Sequence, residues 1–170
     1  MMTSSESRRR ERGTLRPVVL DGCNVAMGHG LDRVFSVRGI SIVVEYFLRR
    51  GHEKVVTFLP QGKCRGLSPQ DRNLLDQMRG KGNLVYTPSR QFNDETITSY
   101  DDTFILDYAS QYEAVVVTRD NYRDLTNKKP YWDRVIKDRI LMPTFVGDDI
   151  MWPHDPLGRK GMSLDDFLKF

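Results

Sequence analysis

Short apolar runs rich in β-branched residues alternate along the chain with longer segments in which apolar positions recur every three or four residues. A continuous apolar run of four to six residues is typical of a buried strand, and the longer spacing is typical of an amphipathic helix. We therefore predict strands at 15–20 (LRPVVL), 54–59 (KVVTFL), 83–87 (NLVYT), 114–118 (AVVVT) and 144–146.

Helices are predicted between these strands. Segment 39–50 carries its apolar residues on one helical face and is followed by Gly51, a residue typical of helix C-terminal caps. Ser68 followed by Pro69 is a typical helix start. The predicted helices are 39–50, 68–79, 101–112, 130–140 and a short C-terminal helix capped by Ser163.

Alternation of strands and helices predicts an α/β domain with a mainly parallel sheet and helices on both of its faces. The near-continuous apolar character of the strands fits burial on both sides. Ligands of such sheets bind beyond the carboxyl ends of the strands, so the residues at those ends are the first candidates for chemistry.

Four acidic residues occupy such positions. Asp21 follows the first strand, Asp120 lies two residues beyond the fourth, and Asp101 and Asp102 open the helix between them. One Asp alone is more simply a turn residue or a helix cap. Several carboxylates that converge would repel one another, and a hard divalent cation relieves that repulsion. Oxygen ligands without histidine favour Mg²⁺, for which Mn²⁺ can substitute.

This arrangement suits phosphodiester hydrolysis, because a bound cation activates water and offsets charge on phosphate oxygens. Asn24 and Asp124 lie close by in sequence, on the turns that are expected to follow Asp21 and Asp120. Asn24 is predicted to donate a hydrogen bond that orients a carboxylate.

Charge is distributed unevenly. The net charge is +3, and residues 1–16 contain five of the 26 basic residues and two of the 23 acidic residues, so the rest is formally neutral. We predict a flexible basic tail over 1–14, which could contact nucleic-acid phosphates, and one folded domain over 15–170. Because residues 17–170 are formally neutral, RNA binding there needs a local basic patch, for which Arg119 and Arg123 beside Asp120 are candidates.

Composition excludes several other classes of protein. No apolar run approaches the ~20 residues of a membrane span, so no membrane association is expected. Two cysteines make no disulfide framework, which predicts a reducing intracellular compartment. Cys23 is interpreted as a small turn residue rather than a nucleophile, because no positioned base is evident, and His52 is expected to be exposed.

Several separated motifs resemble the PIN-like (NYN-type) ribonuclease domain of the Regnase/MCP-induced-protein family, whose members usually carry a CCCH zinc finger. The similarity covers about 15–168. The motifs are RPVVLDGCNVAMGHG at 16–30, FSVRGI at 35–40, TPSR at 87–90, SYDDTFI at 99–105, VVVTRDNYRDL at 115–125 and DPLGRKGMSLDDFL at 155–168.

The resemblance implies a PIN-like three-layer α/β/α sandwich and a Mg²⁺-dependent endoribonuclease that cleaves single-stranded or loop RNA. It also implies cytoplasmic control of mRNA, possible association of the domain with itself and recruitment by an RNA-targeting partner. Arg38 and Arg90 match positions that face RNA in this family. The resemblance places Asp21, Asp102 and Asp120 at the centre, where they are predicted to hold the metal. The remaining matched polar positions around it are Asp101, Asn24 and Asp124, and Asp101 and Asp124 are predicted to assist.

Two alternatives stay open at this stage. Segment 91–99 contains Asp94 and Glu95 where family members carry basic residues. It favours an RNA-binding or scaffold protein with weak or no cleavage. A phosphatase with an Asp nucleophile would use a similar sheet, but the DGCN motif at Asp21 lacks the second acid that this chemistry uses.

Overall fold

The computed structural model describes residues 13–88, 98–158 and 161–170, without the side chains of 98–100. The predicted tail over 1–14, with the exception of its last two residues, and Arg90 and most of the acidic segment 91–99 lie outside these ranges. No helix in the described ranges is long and apolar enough to cross a membrane.

Five parallel strands form the central sheet in the order β3-β2-β1-β4-β5. These strands are β1 (Val18–Asp21), β2 (Val55–Pro60), β3 (Leu84–Thr87), β4 (Val115–Val117) and β5 (Ile140–Leu141). A separate antiparallel hairpin pairs β6 (Thr144–Val146) with β7 (Asp149–Met151).

Helices cover both faces of the sheet. They are α1 (Gly22–His29), α2 (Val37–Arg50), α3 (Pro69–Gly80), α4 (Thr98–Tyr112), α5 (Pro130–Asp138) and α6 (Leu164–Phe167). Alternate residues of β1 point to opposite faces: Val18 and Leu20 pack with α1, α2, α3 and α6, whereas Val19 packs with α4 and α5. The result is the predicted three-layer α/β/α sandwich.

Most elements agree with the pattern, including the left-handed cap at Gly51, where φ is 104°. The Ser68 and Ser163 side chains accept hydrogen bonds from the backbone N–H groups of Asp71 and Asp166, as helix caps do. Three differences bear on the site. Helix α1 was predicted as a turn. Helix α4 begins at Thr98, so Asp101 and Asp102 lie inside its first turns rather than at its start.

The third difference concerns the edge of the sheet. Helix α5 ends at Asp138, and Ile140, which we expected to be helical, begins the fifth strand. The predicted strand 144–146 exists, but it belongs to the hairpin and not to the parallel sheet. Its exposed and half-buried residues lack the full burial of the central strands.

Candidate active site

Four of the five predicted acids meet at the carboxyl edge of the sheet. Asp21 is the last residue of β1, and Asp120 follows β4, the strand that pairs directly with β1. Helix α4, which packs on one face of the sheet, supplies Asp101 and Asp102. Electrostatic repulsion from Asp21, Asp120 and Asp101 acts on Asp102, which shows that all four carboxylates share one neighbourhood.

Asp21 lies at the bottom of this cluster and is 7% exposed. Its Oδ1 accepts a long hydrogen bond from the Asn24 backbone N–H at 3.4 Å, because Asp21 is also the N-cap of α1. Its Oδ2 accepts from the hydroxyls of Thr118 at 3.2 Å and Tyr122 at 3.3 Å. Burial, assisted by the charge of Asp101, raises the pKa of Asp21 to about 6 despite these donors.

Gly22 makes the position of Asp21 possible. A Cβ at Gly22 would lie 2.7 Å from the carbonyl oxygen of Phe58, on the neighbouring strand β2. The chain therefore turns from strand to helix with its backbone against β2, and only glycine fits there without displacing that strand.

Asp102 is the acid on which the charges of the other three carboxylates act together. Burial, together with the charges of Asp21, Asp120 and Asp101, raises its pKa to about 8. Burial also raises the pKa of Asp101, whose carboxylate accepts a hydrogen bond from the Thr87 hydroxyl at the end of β3. At neutral pH the cluster thus bears negative charge that its protein neighbours do not fully balance.

Asp120 is the exposed member of the cluster, and residues of its own loop orient its carboxylate. Its Oδ1 accepts from the Tyr122 backbone N–H at 2.8 Å, and its own N–H donates to Thr118 Oγ1 at 3.1 Å. Asn24 Oδ1 accepts from the Arg119 backbone N–H at 2.7 Å. The amide side chain of Asn24 therefore ties α1 to the Asp120 loop, whereas the predicted contact was a side-chain hydrogen bond to a carboxylate.

Asp124 is separate from the other acids. It is exposed in a 3₁₀ turn over Arg123–Leu125, and in the described ranges no hydrogen bond or ion pair joins it to the cluster. The left-handed conformation of Tyr122, with φ at 51°, redirects the chain before this turn. Its predicted assisting role has no contact of this kind to support it.

Two of the predicted RNA-facing arginines, Arg38 and Arg119, have acidic partners. Arg38 binds Asp148 at 2.6 Å, and His29 contacts the other oxygen of this carboxylate at 2.9 Å. Arg119 binds Asp32 at 2.8 Å and 3.3 Å. Arg123 is exposed, and the structure gives its backbone N–H a contact to Asn121. Exposed ion pairs of this kind are weak, so a phosphate can replace the carboxylate.

Arg38 lines a groove of about 1060 Å³ between α2 and the β6–β7 hairpin. Arg49 and Arg50 line the same groove, but so do Glu45 and Asp149. The groove is therefore mixed in charge, and Arg38 alone among its residues was predicted to contact RNA.

Sequence reasoning missed three residues that support the acids: Thr87, Thr118 and Tyr122. Each contacts an Asp through a hydroxyl group. Two of them were visible as strand ends, since Thr87 closes β3 and Thr118 follows β4. No sequence pattern indicated a role for Tyr122, because it lies far from Asp21 along the chain and their contact forms only in the folded structure.

Cys23, which was interpreted as a turn residue rather than a nucleophile, lies in the first turn of α1. Burial, followed by the charges of Asp21 and Asp101, raises the pKa of its thiol to about 12. The reactive thiolate is therefore absent at neutral pH.

The acid cluster fits a hard cation in charge and donor chemistry. Its donors are carboxylate oxygens, and their mutual repulsion is relieved by positive charge. In the described ranges, no group of three or more His, Cys, Asp and Glu side chains is arranged to hold a metal ion. Mg²⁺ keeps several of its water ligands and is usually bound through one or two carboxylates, so three direct protein ligands are not required.

A three-layer sandwich with acids converging at the carboxyl edge of its parallel sheet is the architecture of a PIN-like nuclease domain. The family model of the Zc3h12a-like ribonuclease NYN domain matches residues 14–166. The chain belongs to this family, which confirms the resemblance carried by its motifs.

Solved structures support the same fold. Two structures of the nuclear protein-only RNase P 2 from Arabidopsis thaliana match 81% and 84% of this chain, with TM-scores of 0.64 and 0.65. Sequence identity is 20% and 22%, so the similarity concerns the fold. The matched region is 29% and 30% of those chains, so this sequence spans less than a third of their length.

Proposed function

We propose that the domain is a Mg²⁺-dependent endoribonuclease that hydrolyses phosphodiester bonds of single-stranded or loop RNA. The observation that carries this proposal is the convergence of four acids, Asp21, Asp101, Asp102 and Asp120, at the carboxyl edge of the parallel sheet. A cluster that repels itself in this way is suited to a divalent cation and, through it, to a phosphate.

Asp21, Asp102 and Asp120 are the residues that would hold the cation. When bound, Mg²⁺ would lower the pKa of a water molecule and offset charge on the phosphate oxygens. The protein's own contribution is orientation: Thr118 and Tyr122 fix Asp21, and Thr87 fixes Asp101. Asp101 and Asp102 are adjacent on α4, so fixing Asp101 also restrains Asp102.

Arg38 and Arg119 would bring the RNA backbone to the acids. Both are paired with loop carboxylates, Asp148 and Asp32, at exposed positions. Phosphates would replace these carboxylates, which also makes RNA binding dependent on salt. Single strands and loops suit this surface, because their backbone can follow an open edge that a stiff duplex cannot.

Cleavage of a labelled RNA with single-stranded, stem-loop and duplex segments tests the proposal. We expect cuts in the first two segments with Mg²⁺ and none with EDTA. Asp21→Asn should lower the rate by at least about 100-fold. Asp76→Asn, on the exposed side of α3, is the matched control and should cleave normally. Wild-type protein that binds RNA but leaves it intact would instead establish the scaffold alternative.

A further inference from the structure

Tyr122 is a buried tyrosine at the centre of the acid cluster. It is 2% exposed, and its ring packs in the core cluster that contains Ile105, Val116 and Trp132. Its backbone is left-handed, with φ at 51°, an uncommon conformation for an aromatic residue. A residue held this way costs conformational free energy, and its contacts indicate what that geometry achieves.

The two ends of Tyr122 contact two different acids. Its hydroxyl donates to Asp21 Oδ2 at 3.3 Å, and its backbone N–H donates to Asp120 Oδ1 at 2.8 Å. The left-handed turn lets the N–H face back toward Asp120 while the side chain enters the core below Asp21. One residue therefore contacts both carboxylates, Asp21 through its side chain and Asp120 through its backbone.

In each of the two carboxylates, these contacts satisfy one oxygen better than the other. Asp21 Oδ2 accepts from both Thr118 and Tyr122, whereas Oδ1 accepts a single hydrogen bond within the described ranges, from the Asn24 backbone N–H at 3.4 Å. In Asp120, the described hydrogen bond from Tyr122 occupies Oδ1. The less satisfied oxygens, Oδ1 of Asp21 and Oδ2 of Asp120, retain more capacity to bind a cation.

We propose that Tyr122 is a positioning residue that holds Asp21 and Asp120 at the separation and orientation needed to bind one divalent cation. This inference rests on the proposed function and extends it to a residue outside the acid set. Partners that orient ligand carboxylates commonly change metal affinity by about 10–100-fold when removed.

Tyr122→Phe tests the hydroxyl alone, because the ring and the backbone N–H are retained. Tyr108→Phe is the matched control: Tyr108 packs against the same core cluster, and its ring contacts Phe58 and Tyr112 rather than an acid. Mn²⁺ binding is measured by electron paramagnetic resonance, and the melting temperature of each metal-free variant is measured beside it.

We expect Tyr122→Phe to weaken Mn²⁺ binding about tenfold or more while Tyr108→Phe binds as wild type does. Equal Mn²⁺ affinity in Tyr122→Phe and wild type, with wild type binding Mn²⁺, would overturn the inference and leave the proposed function intact. A wild-type domain that binds no Mn²⁺ would overturn both.

Thr118 provides a second test if Tyr122→Phe fails to fold. Thr118→Ser keeps a hydroxyl beside Asp21 Oδ2, and Thr118→Val removes it at nearly constant volume. Loss of Mn²⁺ affinity in the valine variant with retention in the serine variant would support control of metal binding through this oxygen. Equal affinity in both variants would contradict it.

Discussion

Asp102 is a carboxylate whose ionised form is opposed both by burial and by three neighbouring acids. Asparagine has the same shape without the charge, so Asp102→Asn should raise the melting temperature of the metal-free protein by a few degrees and abolish RNA cleavage. Mg²⁺ should stabilise the wild type more than the variant. Differential scanning calorimetry with EDTA and with Mg²⁺ checks both effects, and a variant that melts below wild type in EDTA would contradict the repulsion.

His52 differs from its prediction, since it is 2% exposed. Its Nδ1–H donates to the Arg16 carbonyl at 2.6 Å, and its Nε2 is buried with no hydrogen-bond partner in the described ranges. A protonated ring would bury a second N–H without an acceptor. Burial accordingly lowers the pKa of His52, and the charge of Arg50 adds to this.

The pKa of His52 predicts a loss of stability in acid. The unfolded residue takes up a proton as pH falls below about 6.5, whereas the folded residue resists until a lower pH, so its contribution is present above 6.5 and lost below it. His52→Gln cannot titrate. The excess unfolding free energy of wild type over His52→Gln should shrink between pH 7 and pH 5 in urea titrations, and a constant difference would contradict the burial of a neutral ring.

The acids of the site could be predicted from the sequence because their positions follow from the strands. A carboxylate placed directly after a buried parallel strand has to lie at the carboxyl edge. The supporting hydroxyls could not be predicted in the same way. Tyr122 contacts Asp21 across 101 positions of the chain, and that contact depends on a left-handed backbone that local propensity disfavours.

Helices α1 and α2 approach each other closely at one point. A Cβ at Gly39 would lie 2.4 Å from His29 Cβ, a backbone-proximal atom that cannot rotate away. Gly39→Ala should therefore separate the helices and lower stability by about 1–3 kcal/mol. It should also disturb the contact of His29 with Asp148, and through it the position of Arg38.

Gly80→Ala is the control for this element. Gly80 ends α3, and nothing lies within 4 Å of the position of its Cβ. Alanine is the better helix former, so this variant should melt at or above the wild-type temperature. A Gly39→Ala protein as stable as the Gly80→Ala protein would show that the two helices adjust to a methyl group without cost.

Elements with clear boundaries in the sequence were predicted well. Ser68 and Pro69 begin α3, and Gly51 ends α2. Helix α1 was missed because its glycine-rich sequence has weak amphipathic character, and packing of Val25 and Ala26 against the core stabilises it instead. Strand β5 has only two residues, and its identity as a strand depends on pairing with Val116 and Val117.

The whole molecule carries its excess positive charge near the start of the chain. Residues 1–16 hold the surplus that gives the net charge of +3. Replacing the four arginines Arg8, Arg9, Arg10 and Arg12 by serine should weaken RNA binding without changing the melting temperature. The salt dependence of binding should become shallower, because fewer counterions are released from the RNA.

Fluorescence anisotropy over a range of salt concentrations measures this effect. For single strands the slope of log affinity against log salt changes by about 0.7 for each phosphate that the variant no longer neutralises. Replacing Arg72 and Lys81, two exposed residues of the folded part, by serine is a charge control. Tail and control variants with the same affinity as wild type would show that the acid cluster and its nearby arginines bind RNA alone.

The sequence by itself determined the class of fold, the family and the identity of the acids at the site. Hydrophobic periodicity and position after a strand are local properties of the sequence, so they do not depend on how the elements pack. The tertiary structure alone decided how those acids are supported and charged. Burial, repulsion between carboxylates and hydroxyl donors from distant strands act over a few ångströms in space, and residues so far apart in sequence come that close only when the sheet assembles.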